Sequence, residues 1–277
     1  MRETQIVQRI GKMAAAGVRH ASIIKGIGDD CALLRPRANE DLAFTTDFVI
    51  EGRHFTLDTY TPADVGHKAL ARSLSDLAAM GSEPVFCLVS LAVPASLAGR
   101  WIDGFYKGLL ATAKEYKIQV AGGDLSRFDK VIADVMCCGR VPRGKAMLRS
   151  AAKPGDSIYV TGPLGSFKPP QPRISEGMRL RRAGVKAAID ISDGLIIDLH
   201  RLCVESKVGA DLDNIPVAGG ATVENALYGG EDYELLFTTR KRGLKAMRIG
   251  AILDGPPGEI RRNGKRLRVK GFDHFDE

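Results

Sequence analysis

Residues 61–93, TPADVGHKALARSLSDLAAMGSEPVFCLVSLAV, predict a helix followed directly by a buried strand. Thr61 is a favoured N-cap residue, and Pro62 suits the first helical position, where its missing N–H needs no partner. The helix should run to Gly81, a typical C-terminal stop. Residues 84–93 are apolar and partly β-branched, which is typical of a buried strand. This succession indicates an α/β fold.

The same alternation of strand and helix patterns extends outward in both directions. Strand patterns occur at residues 30–34, 42–47, 131–141, 157–161, 187–191 and 233–238, and helix patterns at 96–117, 174–183 and 194–204. A turn-type cluster at residues 153–156 marks a boundary. We therefore predict an α/β (α+β) protein with two domains, residues 1–150 and 151–277.

Composition narrows the class of protein. The 277 residues are 44% hydrophobic and 26% charged, as in soluble globular proteins. No window approaches 18 uninterrupted apolar residues, so we expect no membrane span, and the N-terminus does not resemble a signal peptide. The five cysteines lack metal-ligand spacing, and the adjacent pair Cys137-Cys138 argues against a disulfide framework. We expect a cytoplasmic protein.

The chain is basic, with a formal net charge of +7, and the surplus is concentrated near its end. Residues 240–270 contain eleven Lys or Arg against two acidic residues. Such a segment could attract nucleic acid or phosphorylated ligands. No aromatic residues interleave the charges, so a solvated surface is the simpler interpretation, and we expect no nucleic-acid partner.

Against this basic background, six short acidic clusters stand beside glycine, serine or threonine. They are Gly28-Asp29-Asp30, Thr45-Thr46-Asp47, Ser75-Asp76, Gly122-Gly123-Asp124, Asp190-Ile191-Ser192-Asp193-Gly194 and Gly229-Gly230-Glu231-Asp232. Each cluster alone could be a turn or a surface carboxylate. Carboxylates that converge repel one another unless protons or cations neutralise them. Together the clusters predict a site for several hard divalent cations, most plausibly Mg²⁺ carrying phosphates.

Two local expectations concern these clusters. Thr45-Thr46-Asp47 should close a strand, where its oxygens lie within a few ångströms of one another. Ser192 to Gly194 should open a helix whose free N–H groups add an anion site beside the cation ligands.

Several well-known catalytic motifs are absent from the sequence. There is no GxxxxGK[ST] loop, no protein-kinase HRD/DFG pair, no HExxH and no G-x-S-x-G. The five histidines are scattered without ligand spacing. Nucleophilic catalysis by a side chain is therefore poorly supported.

Taken in order, a set of strings along the whole chain resembles the thiamine-monophosphate kinase family. The strings are GIGDDCALL, TTDFVIEGRHF, GHKALARSLSDLAAMGSEP, AGGDLSR, AIDISDGL, GGEDYELLF and GFDHF. The family belongs to the superfamily of aminoimidazole-ribonucleotide synthetase-like ATP-binding proteins. The resemblance implies transfer of the γ-phosphoryl group of ATP to thiamine monophosphate, giving thiamine diphosphate, with several Mg²⁺ ions. It also implies a homodimer whose N-terminal sheets form a barrel, for which we nominate the strand PVFCLVSLAVP, and a C-terminal sandwich-like domain.

The resemblance assigns roles residue by residue. The magnesium ligands would be Asp30, Thr45, Thr46, Asp47, Asp76, Asp124, Asp190 and Asp193. The ATP contacts would be Gly123, Asp124, Arg149 and Ser192. His54 and Glu231 would contact thiamine monophosphate, and Phe275 would stack on its ring unless it is a frayed terminal aromatic. Positioning and metal electrostatics would provide the catalysis, with no catalytic side chain.

The chain departs from the family pattern in the second domain. SFKPPQP replaces a helix and its following segment between Gly165 and Arg173, and residues 213–229 look shortened. Other interpretations therefore stay open. The chain could be another enzyme of the superfamily, such as selenophosphate synthetase or the purine-pathway synthetase, although residues 1–25 lack the cysteine that the former would need. It could also bind nucleotide and Mg²⁺ without catalysis.

Overall fold

The computed structural model of the chain describes residues 3–27, 31–166 and 169–272. The chain divides into two compact units. The N-terminal unit comprises Met1–Leu77 and Glu83–Arg143, and the C-terminal unit comprises Ala78–Ser82 and Gly144–Glu277. Among the described helices, none has the length and apolar character needed to cross a bilayer.

The N-terminal unit is built from three helices and six strands in its described part. They are α1 (Glu3–Ala15), β1 (Ile23–Lys25), β2 (Leu33–Leu34), β3 (Glu40–Ile50), α2 (Pro62–Ala79), β4 (Glu83–Val93), α3 (Arg100–Glu115), β5 (Gln119–Arg127) and β6 (Ile132–Pro142). Four strands form a sheet in the order β3-β6-β4-β5, in which β4 and β5 are parallel and the other neighbours antiparallel. One face of this sheet carries the core, including the buried residues Val49, Val89 and Val135.

The C-terminal unit contains a larger mixed sheet with helices. Its elements are β7 (Ser157–Val160), α4 (Ile174–Arg182), β8 (Ala187–Asp190), α5 (Leu195–Ser206), β9 (Gly209–Leu212), α6 (Val223–Tyr228), β10 (Leu235–Thr239), β11 (Met247–Leu253), β12 (Ile260–Arg262) and β13 (Lys265–Arg266). The seven strands lie in the order β13-β12-β9-β11-β7-β10-β8. Buried side chains of α5, among them Leu199 and Leu202, pack with Ile158, Ile189 and Leu236 of the strands in one core.

The predicted α/β class is confirmed, and so are the helix and the strand of residues 61–93. One local prediction was wrong: Thr45 to Asp47 do not close a strand, because β3 continues to Ile50. Gly122 to Asp124 lie inside β5. The C-terminal basic region also contains β11, β12 and β13, which the sequence did not predict. The dimer barrel and the roles of the two domains stay predictions.

Candidate active site

In the N-terminal unit, the two threonines of β3 serve opposite faces of the sheet. Thr45 Oγ1 donates a hydrogen bond to Asp76 Oδ2 on α2, whereas Thr46 Oγ1 donates to Asp134 Oδ1 on β6. This follows from the alternation of side chains along a strand. Asp47, two residues after Thr45, shares the face that carries Asp76. The structure therefore brings Thr45, Asp47 and Asp76 together.

The surroundings of Asp47 disfavour its ionised form. Burial, together with the negative charges of Asp76 and Asp134, raises the pKa of Asp47 to about 6. Arg72 opposes the shift, but its Nη2 lies 3.5 Å from Asp47 Oδ1, a long contact for a charge-assisted bond. Burial and the two neighbouring carboxylates therefore outweigh the effect of Arg72 on the pKa of Asp47.

Asp134 was missed by the sequence reasoning, although it is the one acidic residue in the apolar run VIADVMCC. An acidic residue in such a strand needs a partner, which was the available signal. The register pairs Asp134 with Ser90 of β4, and Ser90 with Asp124 of β5. Asp124 therefore lies in one row across the sheet with Asp134, and its neighbour Gly123 lies in the row of Asp47.

Gly123 has a steric reason to be glycine. Its φ is 153°, and a methyl group at this position would lie 2.0 Å from the Val89 carbonyl oxygen. Only a residue without a side chain lets β5 approach β4 this closely. Gly123 and the exposed Asp124 thus lie where backbone and carboxylate can approach a ligand from the sheet edge.

His54 lies in the segment after β3 and is held by two contacts. The Ile50 N–H donates to His54 Nδ1 at 3.0 Å, so a neutral His54 ring carries its proton on Nε2. The buried Lys68 of α2 donates through Nζ to the His54 carbonyl oxygen at 2.7 Å. Lys68 also lies 5.3 Å from the centre of the Tyr60 ring. No local sequence signal singles out Lys68, because a lysine in an amphipathic helix is normally exposed.

In the C-terminal unit, the expected anion site at the start of α5 was a wrong prediction. The N–H groups of Ser192, Asp193 and Gly194 all donate to one oxygen, Oδ2 of Asp198, at 3.0, 3.0 and 3.2 Å. A carboxylate of the chain itself occupies the place that we expected a phosphate to take. Burial raises the pKa of Asp198 to about 6, so it is ionised at neutral pH.

The metal ligands expected in this loop have different surroundings. Asp190 is buried at the end of β8, where it pairs with Leu235 of β10. Asp193 is more exposed, and its Oδ2 lies 2.6 Å from Arg201 Nη1. Asp193 is thus held by an ion pair within the described chain.

Arg149 lies away from Ser192 in the C-terminal unit. Its carbonyl oxygen accepts a hydrogen bond from Ser206 Oγ at 2.6 Å, and Ser206 is the last residue of α5. Ser192 precedes the first turn of that helix, which at 1.5 Å per residue is about 17 Å away. The backbone of Arg149 is thus held near the opposite end of α5 from Ser192, and its role as an ATP contact stays a prediction.

Glu231 has an unusual backbone conformation, and hydrogen bonds hold the chain at Glu231 and at the next residue, Asp232. Glu231 and Tyr233 both adopt positive φ, 64° and 50°, which non-glycine residues rarely do. The Glu231 N–H donates to the Ser192 carbonyl oxygen at 2.7 Å. The Asp232 carboxylate accepts from the N–H groups of Gly165 and Ser166, at 2.8 and 3.1 Å to its Oδ1. Backbone strain concentrates at functional sites, which agrees with a substrate role for Glu231.

Asp30 and Phe275 lie outside the described residues, so their expected roles stay predictions.

The described oxygen donors fit Mg²⁺ in chemistry. Asp47, Asp76 and the threonine hydroxyls are hard ligands, and the raised pKa of Asp47 indicates a place where a cation would be favoured. Among residues 3–27, 31–166 and 169–272, no three His, Cys, Asp or Glu side chains are close enough to hold a metal ion by themselves. Mg²⁺ usually takes one or two carboxylates and completes its shell with water and substrate phosphates. The two carboxylates of Asp47 and Asp76 suit this way of binding Mg²⁺.

Comparison with known proteins identifies the class and then the family. Residues 28–141 match the family model of AIR synthase related protein, N-terminal domain, which is the class that the N-terminal fold and its oxygen donors define. The thiamine-monophosphate kinase of Buchnera aphidicola subsp. Schizaphis graminum is 37% identical over 303 aligned positions, covering 91% of this chain and 93% of the relative. The chain belongs to the thiamine-monophosphate kinase family and is accordingly a phosphotransferase. The alignment is longer than the chain, so the relative has segments without a counterpart here.

Two solved structures support the same placement. Thiamine-monophosphate kinase from Stenotrophomonas maltophilia K279a has a TM-score of 0.83 and 33% identity, covering 96% of this chain and 98% of that one. AaThiL complexed with AMPPCP and TMP has a TM-score of 0.79 and 30% identity, covering 99% of each chain.

Proposed function

We propose that the chain transfers the γ-phosphoryl group of ATP to thiamine monophosphate, giving thiamine diphosphate. The observation that carries the proposal is the similarity over nearly the whole chain to AaThiL complexed with AMPPCP and TMP. The curated relatives with the same activity in their name support it.

The site chemistry suits a phosphate acceptor. A phosphate monoester has a second pKa of about 6, so one of its oxygens is already anionic at neutral pH and needs no strong base. This agrees with a site built from carboxylates, hydroxyls and backbone groups without a poised nucleophile. We propose direct in-line transfer without a phosphoenzyme. Recovery of ³²P-labelled protein during turnover would contradict it.

Oxygen donors of the chain would hold several Mg²⁺ ions. In the N-terminal unit, Thr45, Thr46, Asp47, Asp76 and Asp124 would take this role, joined by Asp30. In the C-terminal unit it would fall to Asp190 and Asp193. Bound Mg²⁺ would offset the repulsion between a triphosphate and an anionic acceptor and would align the two.

The remaining residues would bind the organic ligands. Gly123, Asp124, Arg149 and Ser192 would contact ATP. His54, held by Ile50 and Lys68, would present its Nε2 proton to thiamine monophosphate. Glu231 would contact the same substrate, and Phe275 would stack on its ring.

An ATP turnover assay tests the reaction class and the acceptor together. Thiamine monophosphate and thiamine are each supplied with ATP, in Mg²⁺ buffer and in EDTA, and thiamine diphosphate is measured by chromatography. We expect product only with the monophosphate and Mg²⁺. Binding of an ATP analogue without ADP release would instead favour a non-catalytic nucleotide-binding protein.

A matched pair of variants tests the metal assignment. Asp47→Asn should abolish turnover while the protein stays folded, because it removes the charge that would hold a cation. Asp129→Asn, at an exposed position in the turn between β5 and β6, should keep normal turnover. Near-normal rates for Asp47→Asn would refute the assignment.

We also propose a homodimer formed through the open face of the N-terminal sheet. Phe44 and Phe48 of β3 point to that face and are 60% and 54% exposed, and Leu88 and Met136 beside them are only partly buried. An apolar patch of this kind on a sheet normally marks an interface. The nominated strand β4 supplies its outward residues to the same face.

Light scattering coupled to size exclusion tests the dimer. Phe48→Glu places a charge on the open face and should give a monomer. Val204→Glu, at a position on α5 that is 42% exposed, is the matched control and should stay dimeric. Equal masses for both variants would refute this face as the interface.

A cytoplasmic location is part of the same proposal. Cys87, Cys137, Cys138 and Cys203 are buried free thiols, as a reducing compartment would keep them.

A further inference from the structure

The loop of Ser192 to Gly194 is organised by a carboxylate that belongs to none of the assigned site residues. Asp198, in the first turn of α5, is only 1% exposed. Its Oδ2 accepts the N–H groups of all three loop residues within 3.2 Å. A buried carboxylate is costly unless it is fully paired, so the loop and Asp198 each need the other.

Arg201 extends this organisation to the side chain of Asp193. One nitrogen, Arg201 Nη1, lies 2.7 Å from Asp198 Oδ1 and 2.6 Å from Asp193 Oδ2. The guanidinium therefore bridges a buried carboxylate and a partly exposed one. Since Asp198 is fixed by the loop amides, the bridge also fixes the direction of the Asp193 carboxylate.

The carbonyl groups of the loop are occupied as well. Ser192 O accepts from the Glu231 N–H at 2.7 Å, and Asp193 O accepts from the Phe272 N–H at 2.9 Å. Backbone donors and acceptors are thus both engaged within the chain. The groups that the loop can offer to a ligand are the side chains of Ser192 and Asp193.

We infer that Asp198 and Arg201 are positioning residues for nucleotide binding: they hold Ser192 and Asp193 in place, and the loop contacts the nucleotide and its cations through these side chains instead of through backbone N–H groups. The inference rests on the proposed function for the roles of Ser192 and Asp193. It differs from the usual helix N-terminal phosphate site, in which free N–H groups face the anion.

The test compares four variants of α5 in the full-length protein. Arg201→Met removes the bridge, Arg201→Lys keeps the charge, and Glu205→Gln changes an exposed carboxylate on the same helix as a control. Arg201 is suited to this because Asp198 keeps its three hydrogen bonds from the loop N–H groups when Arg201 is lost, so the fold should stay intact. Asp198→Asn is the fourth variant and removes the negative charge at the buried end of the bridge.

The readouts are the affinity for AMPPCP with Mg²⁺ by calorimetry and the KM values for ATP and thiamine monophosphate. Losing a charge-assisted hydrogen bond that orients Asp193 should weaken AMPPCP and raise the KM for ATP about tenfold. The KM for thiamine monophosphate should not change. Arg201→Lys should restore part of the affinity, and Glu205→Gln should behave as wild type.

Two results would overturn the inference: an unchanged AMPPCP affinity in Arg201→Met and Asp198→Asn, or an equal rise in both KM values together with a lower unfolding temperature. The latter would show a merely structural role. Because AMPPCP binding is measured without the acceptor, a wild-type protein that binds AMPPCP but does not phosphorylate thiamine monophosphate would refute the proposed function and leave this inference testable.

Discussion

Replacing Arg173 with methionine should destabilise the C-terminal unit more than replacing its partner Glu234 with glutamine. Arg173 follows the proline-rich segment that shortens this chain, and it forms a two-point ion pair with Glu234. Arg173 Nε lies 2.9 Å from Glu234 Oε2, and Nη2 donates to Oε1. Thr161 Oγ1 donates to the same Oε2 at 2.5 Å. The pair ties the shortened connection to β7 and to the segment that holds Glu231.

The unequal burial of the two partners sets the expected magnitudes. The Glu234 side chain is 6% exposed and that of Arg173 is 32% exposed. Breaking a buried pair by removing one partner costs about 3–5 kcal/mol when the other charge stays buried. Arg173→Met leaves the Glu234 carboxylate with Thr161, so we expect a loss of about 3 kcal/mol. Glu234→Gln leaves an arginine that can reach water, so we expect about 1 kcal/mol.

Scanning calorimetry is the appropriate assay, because two units can unfold in separate transitions. A loss of 3 kcal/mol should lower the transition of the C-terminal unit by about 10 °C. The double variant Arg173→Met with Glu234→Gln should be more stable than Arg173→Met alone, because it removes the stranded charge. Equal losses for the two single variants, or a double variant that is less stable than both, would refute this reasoning.

Three further predictions follow from individual contacts. Burial raises the pKa of Asp232 from 3.8 to about 6, so the protonated form stabilises the fold and this stabilisation is lost as pH rises through 6. Asp232→Asn does not titrate and should lose none of it. Its free energy of unfolding relative to wild type, measured by urea titration, should therefore rise by at most about 3 kcal/mol between about pH 4 and pH 7. A constant difference would contradict the shift. Gly123→Ala places a methyl group 2.0 Å from the Val89 carbonyl oxygen, so it should separate β5 from β4 and lower the free energy of unfolding by about 2–3 kcal/mol. The same change should weaken AMPPCP binding in calorimetry. Wild-type affinity would exclude this close approach of the two strands. Lys68→Met removes the hydrogen bond to the His54 carbonyl oxygen and should raise the KM for thiamine monophosphate about fivefold in initial-rate assays, with the KM for ATP unchanged; equal effects on both would argue against a substrate role for His54.

The elements that sequence predicted well are those whose local signals agree. Helix α2 has a cap, an N-terminal proline and a regular apolar spacing, and β4 is a mostly apolar run, so both were predicted to within two residues. Strands β12 and β13 were missed because arginine and lysine dominate their short segments. Their strand form comes from pairing with β9 and with each other, which local pattern does not contain.

The candidate site shows the same limit. Acidic residues beside glycine or hydroxyls were easy to single out, and the structure does bring Thr45, Asp47 and Asp76 together. Asp198 carries no such neighbours, and its contact with three loop amides depends on how the chain turns into α5. The sequence suggested free amides there because a helix start normally has them. Only the three-dimensional arrangement shows that a residue from the helix itself fills the place.

The basic end of the chain acquires a purpose from its place in the sheet. Strand β13 forms one edge of the seven-stranded sheet and consists of the exposed Lys265 and Arg266. An edge strand presents unpaired backbone groups to which another chain could add a strand, and short, lysine- and arginine-rich edges discourage such growth. Two copies approaching edge to edge would bring like charges together before any backbone bond could form. The positive charges of β13 should therefore disfavour edge-to-edge aggregation of the seven-stranded sheet.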